Sequence, residues 1–251
     1  MEEKIEIYNK EEKCNISAKI IYNEECRKDQ IFIICHGYYS SKDSNTRKVI
    51  ADKLLENGIQ SIAFDFPGHG ESVQSAEYLR VKTCISYINS VVDYIKEKYG
   101  DNTKISFFAT SFGAYILLNK LIGDKNKYEN IILKSPAINM QKVFKDILLK
   151  DSFEQFESKK IGRTGKNGKI IVQYSFYEDL VKNNLYENYK EKRNVIIYQG
   201  DLDETALIKD TYKFIENRPE IKLIELKGMK HHMETDELEI VANQMINQIS
   251  L

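Results

Sequence analysis

Ser111 is the residue whose neighbours best suit it to act as a nucleophile. It stands in Ala109-Thr-Ser-Phe-Gly113, where the apolar run from Lys104 turns directly into the helix-forming stretch that continues to Leu118. In a G-x-S-x-G elbow the serine occupies a strained strand-to-helix corner. Its hydroxyl then stands above the sheet, and the next backbone N–H points at a developing oxyanion. Small residues are needed two before and two after the serine because strand and helix close on each other there, and alanine is the mildest departure from glycine. So short a motif also arises by chance, and Ser111 reads equally well as a helix N-cap. Acyl transfer needs more than a nucleophile: a base, a group to orient the base, and donors for the oxyanion. The chain holds four histidines, His36, His69, His231 and His232, and three closely spaced acids, Asp201, Asp203 and Glu204.

Those residues lie where predicted strands end. Lys4 to Tyr8 and Ile16 to Tyr22 suggest an opening antiparallel hairpin around the turn-like Asn9 to Lys13. Ile31 to Cys35 is a short continuous apolar run, the pattern of a strand covered on both faces, and it ends at His36-Gly37. A helix from about Asn45 closes at Asn57-Gly58. Gln60 to Asp65 reads as a strand leading into Phe66-Pro-Gly-His-Gly-Glu-Ser72. Tyr78, Val81, Ile85, Ile88, Val92 and Ile95 form one stripe of a long helix stopped by Gly100. Asn130 to Lys134 is a further strand, followed by Ser135-Pro136. Asn194 to Gln199 leads to Gly200 and the acids, a helix runs through Phe214, and Ile221 to Leu226 leads to Lys227-Gly-Met-Lys-His-His-Met233. A last helix carries Leu238, Val241, Met245 and Ile249 on one face. Strand–helix alternation of this kind predicts an α/β fold with a mostly parallel, doubly wound sheet, whose ligand sits at the carboxyl ends of the strands.

The stretch 137–193 is too long for an ordinary connection. It has a helical pattern around Val143 to Leu149, a glycine-punctuated turn from Gly162 to Gly168, and aromatic residues at Tyr174, Phe176, Tyr177 and Tyr186. It is expected to form a cap inserted over the site within one domain spanning 1–251. Most of these aromatics are expected to build the insert's own small core.

Composition narrows the function classes. A net charge of -1 over 251 residues supplies no field for nucleic acid or an anionic membrane. The first residues lack an apolar core and a small-residue cleavage site, and no stretch approaches a membrane span, which reads as a cytoplasmic protein. Cys14, Cys26, Cys35 and Cys84 show no metal-ligand spacing and read as free thiols, and neither a metal nor a cofactor is expected. The oligomeric state, monomer or homodimer, is left open.

Taken in order, His36-Gly37, Asp65-x-x-Gly68-His69-Gly70-x-Ser72, Ser111-x-Gly113, Ser135-Pro136-Ala137, Gly200-x-x-Asp203 and Gly228-x-x-His231 resemble the motifs of the α/β-hydrolase superfamily. Within it the chain is similar to the small capped serine esterases of the cinnamoyl and feruloyl esterase type. The resemblance covers nearly the whole chain and implies an eight-stranded hydrolase fold with an inserted cap. It implies Ser111 as nucleophile, His231 as base with His232 the alternative, and Asp203, ahead of Asp201 and Glu204, as the group orienting the base. The backbone N–H groups of Tyr38 and Phe112 would form the oxyanion hole. His36, His69 and Asp65 are expected to brace loops rather than move protons. The implied activity is cleavage of a small-molecule carboxylic ester, of aromatic or short-to-medium acyl type. A thioesterase or small peptidase with the same triad, and a binding protein that has lost catalysis, are the alternatives.

Overall fold

The computed structural model describes residues 1–165 and 168–249. Its eight-stranded sheet contains β1 (Glu2–Asn9), β2 (Cys14–Ile21), β3 (Arg27–Cys35), β4 (Ile59–Phe64), β5 (Lys104–Thr110), β6 (Ile131–Lys134), β9 (Val195–Gly200) and β10 (Ile221–Leu226). The spatial order is β1-β2-β4-β3-β5-β6-β9-β10. β1 pairs antiparallel with β2 and β2 with β4, and every later pairing is parallel. The opening hairpin is the expected one, and the doubly wound sheet is that of the α/β-hydrolase fold.

The central strands are continuously apolar because both faces are covered. Ile31, Ile33 and Cys35 of β3 join one cluster with Phe107 and Leu133. That cluster lies under α2 (Val81–Tyr99) and α3 (Phe112–Leu121). Phe32 and Ile34 face the other way, with Phe108 and Ile132, against α1 (Asn45–Glu56) and α9 (Thr235–Ile246). Each such side chain taken from water contributes roughly 1.5–3 kcal/mol, so the strand order is fixed by two opposed apolar layers. Phe214 of α8 (Ile208–Ile215) joins the first cluster and meets Tyr189 with ring centroids 5.5 Å apart.

The segment 137–193 enters between β6 and β9. It consists of α4 (Met140–Val143), a π-helical turn Phe144–Leu149, a 3-10 turn Lys150–Ser152, α5 (Phe153–Lys159), the antiparallel pair β7 (Ile161–Thr164) and β8 (Ile170–Gln173), α6 (Tyr174–Lys182) and α7 (Leu185–Asn188). It is tied to the sheet layer by Tyr115, whose hydroxyl donates to the Asn183 carbonyl at 2.9 Å.

Three local expectations change. The long helix starts at Val81 rather than Tyr78. Arg80 is extended, the Val81 N–H donates to Asp179 of α6 at 2.6 Å, and Tyr78 sits exposed in a separate 3-10 turn. An acid from the insert thus fixes where the helix begins. The predicted turn from Gly162 to Gly168 is shorter, because Gly162 to Thr164 pair in β7 with Val172 to Ile170. Lys166 and Asn167 of that turn lie outside the described residues. α9 ends at Ile246, so Ile249, though buried, packs from beyond the helix.

Candidate active site

Ser111 sits between β5 and α3 with φ +51°, a conformation L-residues adopt only under constraint. Two close approaches impose it. A Cβ on Gly113 would lie 2.8 Å from the Cys35 carbonyl oxygen and closer still to that of His36, so only glycine lets α3 start against the end of β3. On the other side, a Cβ on Gly37 would come within 3.2 Å of the Ser111 Cβ, so the chain after His36 runs directly beside the serine. The N-cap alternative fails locally, since the Ser111 side chain makes no capping hydrogen bond to α3.

Three distant segments converge here. Nε2 of His231, on the loop after β10, lies 3.1 Å from Ser111 Oγ. Its Nδ1 lies 2.9 Å from both carboxylate oxygens of Asp203, on the loop after β9. Asp203 and His231 are buried, and Ser111 is half-buried. Asp203 does not cap the following helix, which starts only at Ile208. Its Oδ1 instead accepts the N–H groups of Thr205 at 3.0 Å and Ala206 at 2.8 Å, fixing the carboxylate's direction. Gln199 reaches the other oxygen at 3.5 Å and is itself held by Thr211.

The alternatives weighed on sequence are elsewhere. His232 keeps its side chain largely at the surface, edge-on to His231 at 5.5 Å, and partial desolvation of the ring, followed by the nearby His231 and Lys134, lowers its basicity. Asp201 accepts the Gly228 N–H at 2.7 Å, and exposed Glu204 accepts the His231 N–H at 3.4 Å. Both acids brace the histidine loop without touching the imidazole.

The remaining histidines hold loops. His36 Nδ1–H donates to the Gly37 carbonyl at 2.8 Å while Nε2 accepts the Phe66 N–H at 3.0 Å. Burial pushes it down to about 4, so it stays neutral. His69 Nδ1–H donates to the Pro67 carbonyl at 2.9 Å, and burial pushes it down to about 3. Asp65 accepts the N–H groups of Lys42 at 2.7 Å and Glu71 at 2.9 Å, closing the Gly68-His69-Gly70 turn onto the loop after β3. The Lys42 ammonium completes that carboxylate's partners at 2.7 Å.

Aromatic rings from the insert meet the same place. Tyr38 stacks on Phe176 of α6 at 6.4 Å between centroids, and Phe176 meets Phe112 edge-on at 6.1 Å. The Tyr38 hydroxyl and Thr164 Oγ1 of β7 are 3.2 Å apart. Phe176 therefore does not belong to the insert's core alone, whereas Tyr174 and Tyr177 pack on Phe156 and Phe153 as expected of core residues. Sequence reasoning passed over Lys134. It is the final residue of an otherwise apolar strand, and a charge in that position was the available signal. Among the described residues, no three His, Cys, Asp or Glu side chains group as metal ligands would. Nor is any described helix long and apolar enough to cross a membrane.

The sheet, the elbow and the loops at the strands' carboxyl ends define an α/β-hydrolase. The chain belongs to the family described as serine aminopeptidase, S33, whose sequence model matches residues 27–193. No curated protein is detectably similar to it in sequence. Among solved structures it is similar to Est1E from Butyrivibrio proteoclasticus with ferulic acid bound, at TM-score 0.79 and 19% identity over 97% of this chain and 98% of that one. It is similar also to α/β hydrolase domain-containing protein 10 from mouse, at TM-score 0.74 and 18% identity over 93% of each chain. The Pyrococcus furiosus esterase Pf2001 superposes at TM-score 0.68 and 18% identity, over 100% of this chain and 94% of that one.

Proposed function

We propose that this chain is a serine hydrolase that cleaves carboxylic esters through an acyl-enzyme. The observation carrying the reading is the single imidazole of His231, which spans Ser111 Oγ at 3.1 Å and the Asp203 carboxylate at 2.9 Å. In the first half-reaction Ser111 Oγ attacks the ester carbonyl carbon and passes its proton to Nε2. The resulting imidazolium donates through Nδ1–H to Asp203 and returns the Nε2 proton to the leaving alcohol as the C–O bond breaks. In the second half-reaction His231 takes a proton from water, whose oxygen attacks the acyl carbon, and the imidazolium returns that proton to Ser111 Oγ as the acyl C–Oγ bond breaks and the carboxylic acid leaves.

The oxyanion would be held by the backbone N–H groups of Phe112, at the start of α3, and of Tyr38, which follows the glycine that abuts Ser111. Each such donor typically supplies about 3 kcal/mol in the transition state. The segment 137–193 serves as a cap, and Tyr38, Phe112, Phe144 and Phe176 pack into one aromatic cluster beside Ser111, in which Tyr38 alone keeps part of its surface exposed. A flat acyl group could rest on Tyr38 at the edge of that cluster, and the ferulic acid held by Est1E makes such a group a natural first choice. The family description favours a second reading, in which the same three residues release an N-terminal amino acid.

A panel of nitrophenyl esters, acyl thioesters and aminoacyl amides tests both. Fastest turnover on aryl acyl esters is the expected result. Faster cleavage of the amides would install the peptidase reading, and aryl acyl esters no faster than acetyl esters would remove the aromatic preference.

A further inference from the structure

Lys134 ends β6 with its side chain buried, where the three residues before it are Ile131, Ile132 and Leu133. Burying an ammonium is costly unless its protons find acceptors, so an aliphatic residue would suit the strand better. What the lysine does instead is join two loops. Its backbone carbonyl accepts the Ser111 N–H at 3.0 Å, and its Nζ donates to the backbone carbonyl of His231 at 2.9 Å. Any residue at 134 supplies the first bond, but only a long donor supplies the second. The strand holds this end rigidly, because Thr110 of β5 and Tyr198 of β9 flank Lys134 in register, and the Ser135 N–H donates to the Tyr198 carbonyl at 2.8 Å.

We propose that Lys134 is a positioning residue of the hydrolase site, its ammonium fixing the loop that carries the His231 imidazole at hydrogen-bond distance from Ser111. This rests on the hydrolase reading above. The surroundings tie the bond to pH. Burial drives the Lys134 amine down to about 8, opposed by the negative charges of Asp203 after β9 and Glu237 on α9. The histidine loop meets it through the His231 backbone carbonyl, and the Lys134 charge in turn helps lower His232. Tyr198, its register neighbour, is buried and raised to about 12, so it stays neutral. A charged donor makes a shorter, stronger hydrogen bond than a neutral amine. As pH rises through about 8 the ammonium becomes an amine, the bond to the His231 carbonyl weakens, and the loop is held less firmly. Turnover should therefore decline on the alkaline side instead of reaching a plateau.

The test is kcat against pH for the wild type, Lys134→Met and Lys134→Arg on one nitrophenyl ester. Rates of Ser111 labelling by a fluorophosphonate and thermal melts are followed in parallel. A misplacement of the base by about 1 Å costs up to about 100-fold, so Lys134→Met should lose roughly 10- to 100-fold in kcat at neutral pH with KM little changed. The alkaline decline should be absent from Lys134→Met and displaced beyond pH 10 in Lys134→Arg, whose guanidinium stays charged. A residue that merely supports the fold would lower the melting temperature and leave the shape of the profile alone. Folded Lys134→Met with wild-type kcat and the wild-type profile would overturn the proposal. Should both variants fail to fold, the wild type decides alone: a decline centred near pH 8 supports the proposal and a plateau to pH 10 overturns it. Wild-type protein that neither labels nor turns over any ester overturns the hydrolase reading, and this proposal with it.

Discussion

His36 Nε2 accepts the Phe66 backbone N–H at 3.0 Å, which locks the loop after β3 to the loop after β4 through a neutral ring. His69 is held neutral beside it, their rings 5.3 Å apart. Both are displaced below the ordinary histidine value of about 6.5, to about 4 and about 3. Between pH 6.5 and those values the unfolded chain binds protons that the folded chain refuses. Stability is therefore complete above about pH 6.5 and falls on acidification, by up to about 1.4 kcal/mol per pH unit for each ring. Urea midpoints should drop between pH 7 and pH 5, and drop less in His36→Gln/His69→Gln. An equal drop in that variant would show that carboxylates elsewhere are responsible.

Asp203→Asn should keep the fold and lose turnover. The asparagine oxygen can still accept the Thr205 and Ala206 N–H groups, so the turn survives. Its amide presents a donor to Nδ1 and selects the wrong imidazole tautomer, which costs on the order of 10⁴-fold in kcat. Steady-state kinetics with a melting curve checks both halves. A loss below tenfold would hand the orienting role to another acid.

Gly113→Ala should damage structure and activity together. The added methyl meets the carbonyl oxygens of His36 and Cys35, which are backbone atoms that cannot swing aside. Overpacking of this sort costs about 1–3 kcal/mol, or roughly 2–12 °C of melting temperature for a chain of this size. Labelling of Ser111 should slow as well, because α3 and the Phe112 N–H move with the elbow. An unchanged melt would mean that the two backbones can separate at little cost.

Phe176→Leu tests acyl selection. It removes one face from the ring stack on Tyr38 while keeping most of the buried volume. Aryl acyl esters should lose about tenfold in kcat/KM relative to acetyl esters, the usual worth of a modest apolar contact. Equal losses on both would place the acyl group elsewhere.

The sheet was legible because its central strands are apolar on both faces and its outer strands are still rich in β-formers. Ile31 to Cys35 and Ile221 to Leu226 lie in strands whose ends are marked by glycine and histidine, and chain order alone puts those ends on one edge. Ser111, Asp203 and His231 could be picked out through the resemblance to hydrolase motifs, and the structure brings all three together. What motifs could not supply were contacts between segments. The start of α2 is set by Asp179, nearly a hundred residues onward. Phe176 looked like a core residue of the insert because nothing local reveals that α6 turns it toward Tyr38. Lys134 reads as an ordinary strand terminus until its ammonium is traced to the His231 carbonyl, 97 positions away.

The central claim is that Ser111 is a nucleophile activated by His231. Incubation with a fluorophosphonate followed by peptide mass spectrometry tests it most directly. The account predicts one adduct, on Ser111, absent from Ser111→Ala and strongly slowed in His231→Ala, with each variant melting within about 2 °C of the wild type. An intact wild-type protein that stays unlabelled, or an adduct on any other residue, would contradict it.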